Sequence, residues 1–296
     1  MRGALNHTAT WYGDVAYSEQ GSGPPALFVH GVFLNGYFWR HVIERVADVR
    51  RCIALDLLAH GATRTPTDQD VSFDAQAEML EAFCENLRLE QVDLVANDSG
   101  GGIAQIFAAR HPERIRTLTL TNCDVHDNWP PPAFEATRTA IAQGHLPELG
   151  KKLLSDLDFA RQRFASAYEF PGQLSMQTLQ TYLEPLFATP QSITHLERWF
   201  EHSGKNSQTV IIEPLLQQLM APTLVVWGTA DVYFPLQWAY WLRDTIPGCR
   251  KVIEVQGGKL FFPEERPDAL TDALREHWHT EVHTASERTP ISAIAP

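Results

Sequence analysis

The stretch VDLVANDSGGGIAQIFAARHPERI, residues 92–115, sets an aspartate, Asp98, at the junction between an apolar strand-like run and a helix-like run. Small residues flank it: Ala96 two before, Gly100 two after, then Gly101 and Gly102. So tight a turn strains the backbone of its apex residue and exposes the side chain, while the helix N-terminus aims N–H groups at the same spot. A carboxylate in that position can attack carbon or move a proton, and the amides can stabilise developing negative charge. Two other roles fit the residue types. Asp98 could cap the helix, or Ser99 could be the reactive group, although Asn97 and Gly101 would then occupy the small positions and fit them less well.

Elements that could hold such a turn recur along the chain. Short runs rich in Val, Leu and Ile, at 25–31, 52–57, 92–98, 117–124, 223–228 and 251–257, alternate with helical stretches at 38–48, 73–87 and 102–112. Near-continuous apolar strands separated by helices predict an α/β fold, a mostly parallel sheet with both faces covered. The segments ATWYG and VAYSEQG near the start predict a hairpin. Between Asp124 and Thr223 the alternation stops, and the residues turn helical and aromatic, with Trp129, Phe134, Phe159, Tyr168, Tyr182 and Trp199. A structureless loop of that length is uncommon, so a helical insertion is expected. The resulting division is a core of 1–124 and 221–278, a cap of 125–220, and a patternless, mobile tail of 279–296.

At this point a family becomes recognisable. The run around Asp98 resembles the nucleophile elbow of α/β-hydrolases, written small-x-nucleophile-x-small. The likeness continues in His30-Gly31 after a strand, in Asp56-Leu57 with His60-Gly61, and in Trp227-Gly228-Thr229-Ala230-Asp231. It covers about residues 10–278 and implies an α/β-hydrolase fold with a helical cap. In that register Asp98 stands at the nucleophile position, as in haloalkane dehalogenases and epoxide hydrolases, and Phe38-Trp39-Arg40 is similar to that branch. The resemblance implies an oxyanion hole from the backbone N–H groups of Val32 and Ser99. It also implies that Asp231 is the acid that orients a histidine.

That histidine is missing. In VQGGKLFFPEERPD, alignment on the Phe and the Glu-Glu-Arg-Pro puts Leu260 in its place, with Lys259 before it. Attack by an ionised carboxylate needs no base, but hydrolysis of the resulting ester does. His126, just past the strand at 117–124 and flanked by Asp124 and Asp127, is the first candidate for a displaced base; His30, His60 and Lys259 are weaker ones. Other features of the dehalogenase branch are absent too: Val32 stands where it holds an Asn, and Ser99 where it holds a Trp. Tyr168 and Tyr182 could act as acidic hydroxyls from the cap. An apolar substrate pocket is expected between cap and sheet, drawing on Trp39, Trp129, Tyr168, Tyr182, Leu260 and Phe261.

Composition narrows the partners. Of 296 residues, 44% are hydrophobic, and a net charge of -12 without a basic stripe argues against nucleic acid and anionic membranes. The cysteines at 52, 84, 123 and 249 give neither a zinc motif nor a disulfide scaffold, and no signal-like segment is present. The glycines at 100–102 lack G-x-G-x-x-G spacing, so no cofactor and no metal are expected. These features point to a cytoplasmic monomer or homodimer that binds a small hydrophobic molecule. Three functions remain: a hydrolase with a non-standard base, a lyase, cyclase or isomerase using Asp98 as general acid/base, and a binding protein that has lost catalysis.

Overall fold

The computed structural model describes residues 4–203 and 208–286. Eight strands form one sheet: β1 (Asn6–Ala9), β2 (Asp14–Gln20), β3 (Pro25–Val29), β4 (Arg51–Leu55), β5 (Val92–Asp98), β6 (Ile115–Cys123), β7 (Thr223–Gly228) and β8 (Cys249–Val255). Their order is β1-β2-β4-β3-β5-β6-β7-β8. β1 and β2 form the expected antiparallel hairpin, β2 pairs antiparallel with β4, and every later pairing is parallel. The α/β-hydrolase fold is therefore as the sequence predicts.

Helices cover both faces, as parallel strands with two buried sides require. Those of the core are α1 (Arg40–Val46), α2 (Phe73–Asn86) and α3 (Ser99–Arg110). The helix α3 is buried along nearly its whole length, which explains its Gly-, Ala- and Ile-rich sequence with no polar stripe. Between β6 and β7 lie α4 (Glu135–Ala142), α5 (Leu146–Ser155), α6 (Leu157–Phe164), α7 (Met176–Phe187), α8 (Pro190–Ser203), α9 (Gln208–Ile211) and α10 (Glu213–Leu216). α11 (Gln237–Thr245), α12 (Phe262–Glu265) and α13 (Pro267–Ser286) complete the chain.

One expectation is corrected here. The tail was read as patternless from His279, yet α13 continues to Ser286. Buried Leu270, Leu274 and Trp278 anchor this helix, and an anchored helix extends through residues of ordinary propensity at little cost. Residues 287–296 of that tail lie outside the described residues.

The topology already marks a candidate site. From β3 the chain crosses to β4 on one side and returns to β5 on the other, so β3 and β5 are neighbours whose outgoing loops diverge. The crevice beyond the carboxyl ends of such a pair is where open α/β sheets bind ligands. Val32 follows β3 and Asp98 ends β5. Asp124 follows β6 and Asp231 follows β7, all at the same edge.

Candidate active site

Asp98 has φ 56 and ψ -137, in the left-handed half of backbone space that non-glycine residues rarely occupy. Two neighbours make the tight turn possible. A Cβ on Gly31 would stand 2.1 Å from Asp98 Oδ2, and one on Gly100 would stand 2.3 Å from the His30 carbonyl oxygen. Only glycine lets the β3 loop and the head of α3 close on the carboxylate from both sides.

The carboxylate is not a helix cap, for Asp98 makes no side-chain capping bond to α3. It lines a chamber between sheet and cap, and at 4% exposure it is almost wholly withdrawn from water. Burial pushes its carboxyl up to about 7, the charge of Asp231 adds to that, and the backbone amides of Ser99 and Val32 pull the other way. Those amides are the pair expected to form the oxyanion hole. The Val32 N–H also donates to Ser99 Oγ at 2.9 Å. The buried Ser99 hydroxyl is thus occupied as an acceptor, which speaks against Ser99 as the reactive group.

Two more carboxyls lie within electrostatic reach. Asp231 accepts from Asn122 Nδ2 at 2.8 Å and from the Tyr233 N–H at 2.8 Å. Burial raises its carboxyl to about 7. Asp124 is fully buried, neither of its side-chain oxygens has a hydrogen-bond partner, and burial followed by the Asp98 charge pushes it well above the usual carboxylate range. No lysine or arginine forms an ion pair with any of the three among the described residues.

The chamber holds about 750 Å³ of open space, solvent at its mouth included. Its walls are mostly apolar: Phe33, Trp129, Phe134, Leu149, Leu153, Phe164, Leu260 and Phe261 among others. Trp129, Leu260 and Phe261, expected at a substrate pocket, line this chamber. Leu260 sits in the loop after β8, its side chain facing the chamber that holds Asp98 and its carbonyl oxygen accepting from Asn97 Nδ2 at 3.0 Å. No histidine lines the chamber among the described residues.

Four expected site residues are not brought to Asp98. His126 turns outward: its Nδ1 lies 3.1 Å from Glu213 Oε2, and its ring stacks on Trp241 at 4.9 Å between centroids. His126 itself has a positive φ of 50. Trp39 is wholly buried against Phe28 and Phe38 beneath the sheet loops. Tyr168 and Tyr182 both donate to the buried carboxylate of Glu264, at 2.5 and 2.6 Å, and Arg40 pairs with the same group at 2.6 Å. Their hydroxyls are committed to a structural knot rather than to a ligand.

The histidines of the turns are structural as well. His30 Nε2 accepts from the Leu57 N–H at 3.0 Å. His60 is pushed down to about 4 by burial and so stays neutral.

Sequence reading missed Tyr233, Thr137 and Arg163 in the chamber wall, and Asp124 beneath it. Tyr233 and Asp124 each follow the end of a parallel strand, a signal that could have found them. Thr137 and Arg163 sit in the helical insertion, where nothing in the sequence singles them out. The Tyr233 hydroxyl is 2.6 Å from Ser166 Oγ. Burial raises its phenol, and the charges of Asp98, Asp231 and Arg163 all reach it.

A buried acid on a nucleophile elbow, between a parallel sheet and a helical cap, defines the class. The chain belongs to the alpha/beta hydrolase fold family, whose model matches residues 24–266. It is 29% identical over 297 residues to a haloalkane dehalogenase of Mesorhizobium japonicum, covering 94% of this chain and 92% of that protein. It is 26% identical over 296 residues to the cis-3-alkyl-4-alkyloxetan-2-one decarboxylase of Shewanella oneidensis, covering 94% and 89%. The crystal structure of a haloalkane dehalogenase from Agrobacterium tumefaciens C58 superposes with a TM-score of 0.77 at 22% identity, covering 94% and 97%, and shares the fold. Relatives that are dehalogenases and hydrolases support a hydrolase-type enzyme. Among the described residues no helix is long and apolar enough to cross a membrane.

Proposed function

We propose that this protein is an enzyme acting on a small or medium hydrophobic organic molecule, and that Asp98 is its general acid/base. The observation that carries this reading is the pairing of a carboxyl raised to about 7 with a chamber wall made of Leu260 and Phe261, where a water-activating base would have to stand. An acid that titrates near neutrality has both its forms at working pH, the condition for moving protons in either direction. Tyr233, held protonated by burial, is a donor for a substrate oxygen. Asp231 holds the backbone N–H of Tyr233 at 2.8 Å, which gives this acid a positioning role without a histidine. Apolar walls keep water from competing. This is the environment that a lyase, cyclase or isomerase needs, and a decarboxylase stands among the relatives.

The test begins with epoxides, alkyl halides, β-lactones and ketones assayed against the wild type and Asp98→Asn. Turnover of the active substrate should fall by about 10³-fold in the variant. In heavy-oxygen water the product should form without label derived from Asp98, and intact-mass spectra should show no aspartyl adduct. Label passing through Asp98 into the product would overturn the reading.

A second reading, nucleophilic attack by Asp98 with a displaced base, is favoured by the strained φ of 56 and by the dehalogenase relatives. Leu260→His separates the two. If an ester must be hydrolysed, the added imidazole should speed turnover more than tenfold. If Asp98 only moves protons, it should slow turnover, and burying an imidazole there should cost about 1–3 kcal/mol of stability.

A further inference from the structure

The polar end of the chamber is not accounted for by Asp98 chemistry. Arg163, on α6 of the cap, is the one cation among the described residues lining the chamber, and it is exposed. Neighbouring cap cations are engaged. Arg138 pairs with Glu135 at 3.1 Å, Arg161 with Asp158 at 3.8 Å, and Lys152 lies over the Phe159 ring at 4.1 Å. Arg163 has no carboxylate partner among the described residues, in a chain with 36 acidic and 24 basic side chains. Its hydrogen bond goes to Thr137 Oγ1 at 3.3 Å, which is another chamber-lining residue.

That bond fixes one edge of the guanidinium and leaves the remaining donors of the fork for something else. A planar fork of N–H groups matches a carboxylate in two-point geometry, and Thr137 adds a hydroxyl beside it. Charge settles the orientation. The sheet end of the chamber carries Asp98, which repels an anion whenever it is ionised; the cap end carries Arg163. Asp98, Tyr233 and Arg163 all line this one chamber, and the charges of Asp98 and Arg163 both reach the Tyr233 phenol. Between them the wall is apolar: Phe134, Leu149, Leu153 and Phe164.

We propose that the ligand is an amphipathic carboxylic acid, whose carboxylate is held at the cap end by Arg163 and Thr137 and whose apolar body runs inward toward Asp98. This rests on the chamber being the reaction site but not on what Asp98 does there, and a binding measurement keeps the two apart. Octanoate and octanol are titrated calorimetrically into the full chain as wild type, Arg163→Gln, Arg163→Lys and Asp98→Asn. Octanoate should bind the wild type at least tenfold more tightly than octanol. Arg163→Gln should remove that preference by weakening octanoate alone, and Arg163→Lys should keep part of it. Asp98→Asn should retain it, because the anion sits at the other end. Equal affinity for acid and alcohol in the wild type, no measurable binding of octanoate, or an unchanged preference in Arg163→Gln would each overturn the proposal. Loss of turnover in Asp98→Asn with the preference intact bears on the acid/base reading alone.

Discussion

Strand β5 buries an aspartate near each end, and the two are treated in opposite ways. Asp93, at the amino end, is fully buried but meets Arg50 at 2.6 Å, Arg116 at 2.7 Å and the Thr117 hydroxyl at 2.8 Å. Asp98, at the carboxyl end, has two backbone amides, two further carboxyls within reach and, among the described residues, no ion-pair partner. The same contrast appears across the molecule in Glu264, which is buried yet held by Arg40 and two tyrosine hydroxyls. A buried carboxylate surrounded by donors is part of the scaffold. One buried with no charged partner carries a larger free-energy cost, and in a chamber that cost makes it a candidate reactive group.

The largest effects should come from changing one aspartate at a time. Asp93→Asn leaves two arginines facing a neutral amide and should cost about 3–5 kcal/mol of stability, read from urea unfolding, with turnover per folded molecule unchanged. Asp98→Asn should do the reverse: no loss of stability at pH 8 and about 10³-fold less turnover. If Asp98→Asn destabilises as much as Asp93→Asn, the two ends of β5 do not differ in kind.

How far this contrast could be read from the chain alone is uneven. The elbow was legible because small residues at fixed offsets from Asp98 have one physical use, and the sheet followed from apolar runs of strand length. Leu260 and Phe261 could be placed because flanking residues on the last strand's loop fix the register. The cap could not be resolved in the same way. Its helices present several aromatic faces, and which of them looks into the chamber depends on packing rather than on spacing. Tyr168 and Tyr182 read as candidate acids, but their direction was set by Glu264, a partner 96 and 82 residues away. His126 read as a candidate base from its place after β6, but its ring is taken up by Glu213 and Trp241, partners far along the chain.

A smaller effect sharpens the contrast through pH. Asp98 and Asp231 are raised to about 7 in the folded chain, whereas an unfolded aspartate titrates near ~4. Between those values the folded chain holds protons that the unfolded chain has released, so stability should fall as pH rises through that window. The signal is the difference between wild type and Asp98→Asn, which cancels the titration of all other groups to first order. The variant should match the wild type near pH 4 and exceed it at pH 8, by several degrees of thermal midpoint at roughly 2–4 °C per kcal/mol. Parallel curves would mean that the Asp98 charge is compensated after all.

The smallest expected effect is the one that guards the site assignment. His126 is half-buried, pairs with Glu213 at 3.1 Å and stacks on Trp241 at 4.9 Å, so its imidazole serves the surface between the β6 loop and α11. His126→Asn is the appropriate change, because asparagine tolerates a φ of 50 better than most residues and leaves the loop backbone undisturbed. It removes a partly exposed contact with Glu213 and ring contacts with Trp238 and Trp241, which together are worth about 1 kcal/mol or less. Stability should therefore fall by no more than that, and turnover should stay within twofold. A loss of turnover beyond tenfold with stability preserved would bring an imidazole back into the chemistry. The carboxyl end of β5 would then have the basic partner that its geometry lacks, and Asp98 would be the nucleophile of a hydrolase rather than a lone acid in an apolar chamber.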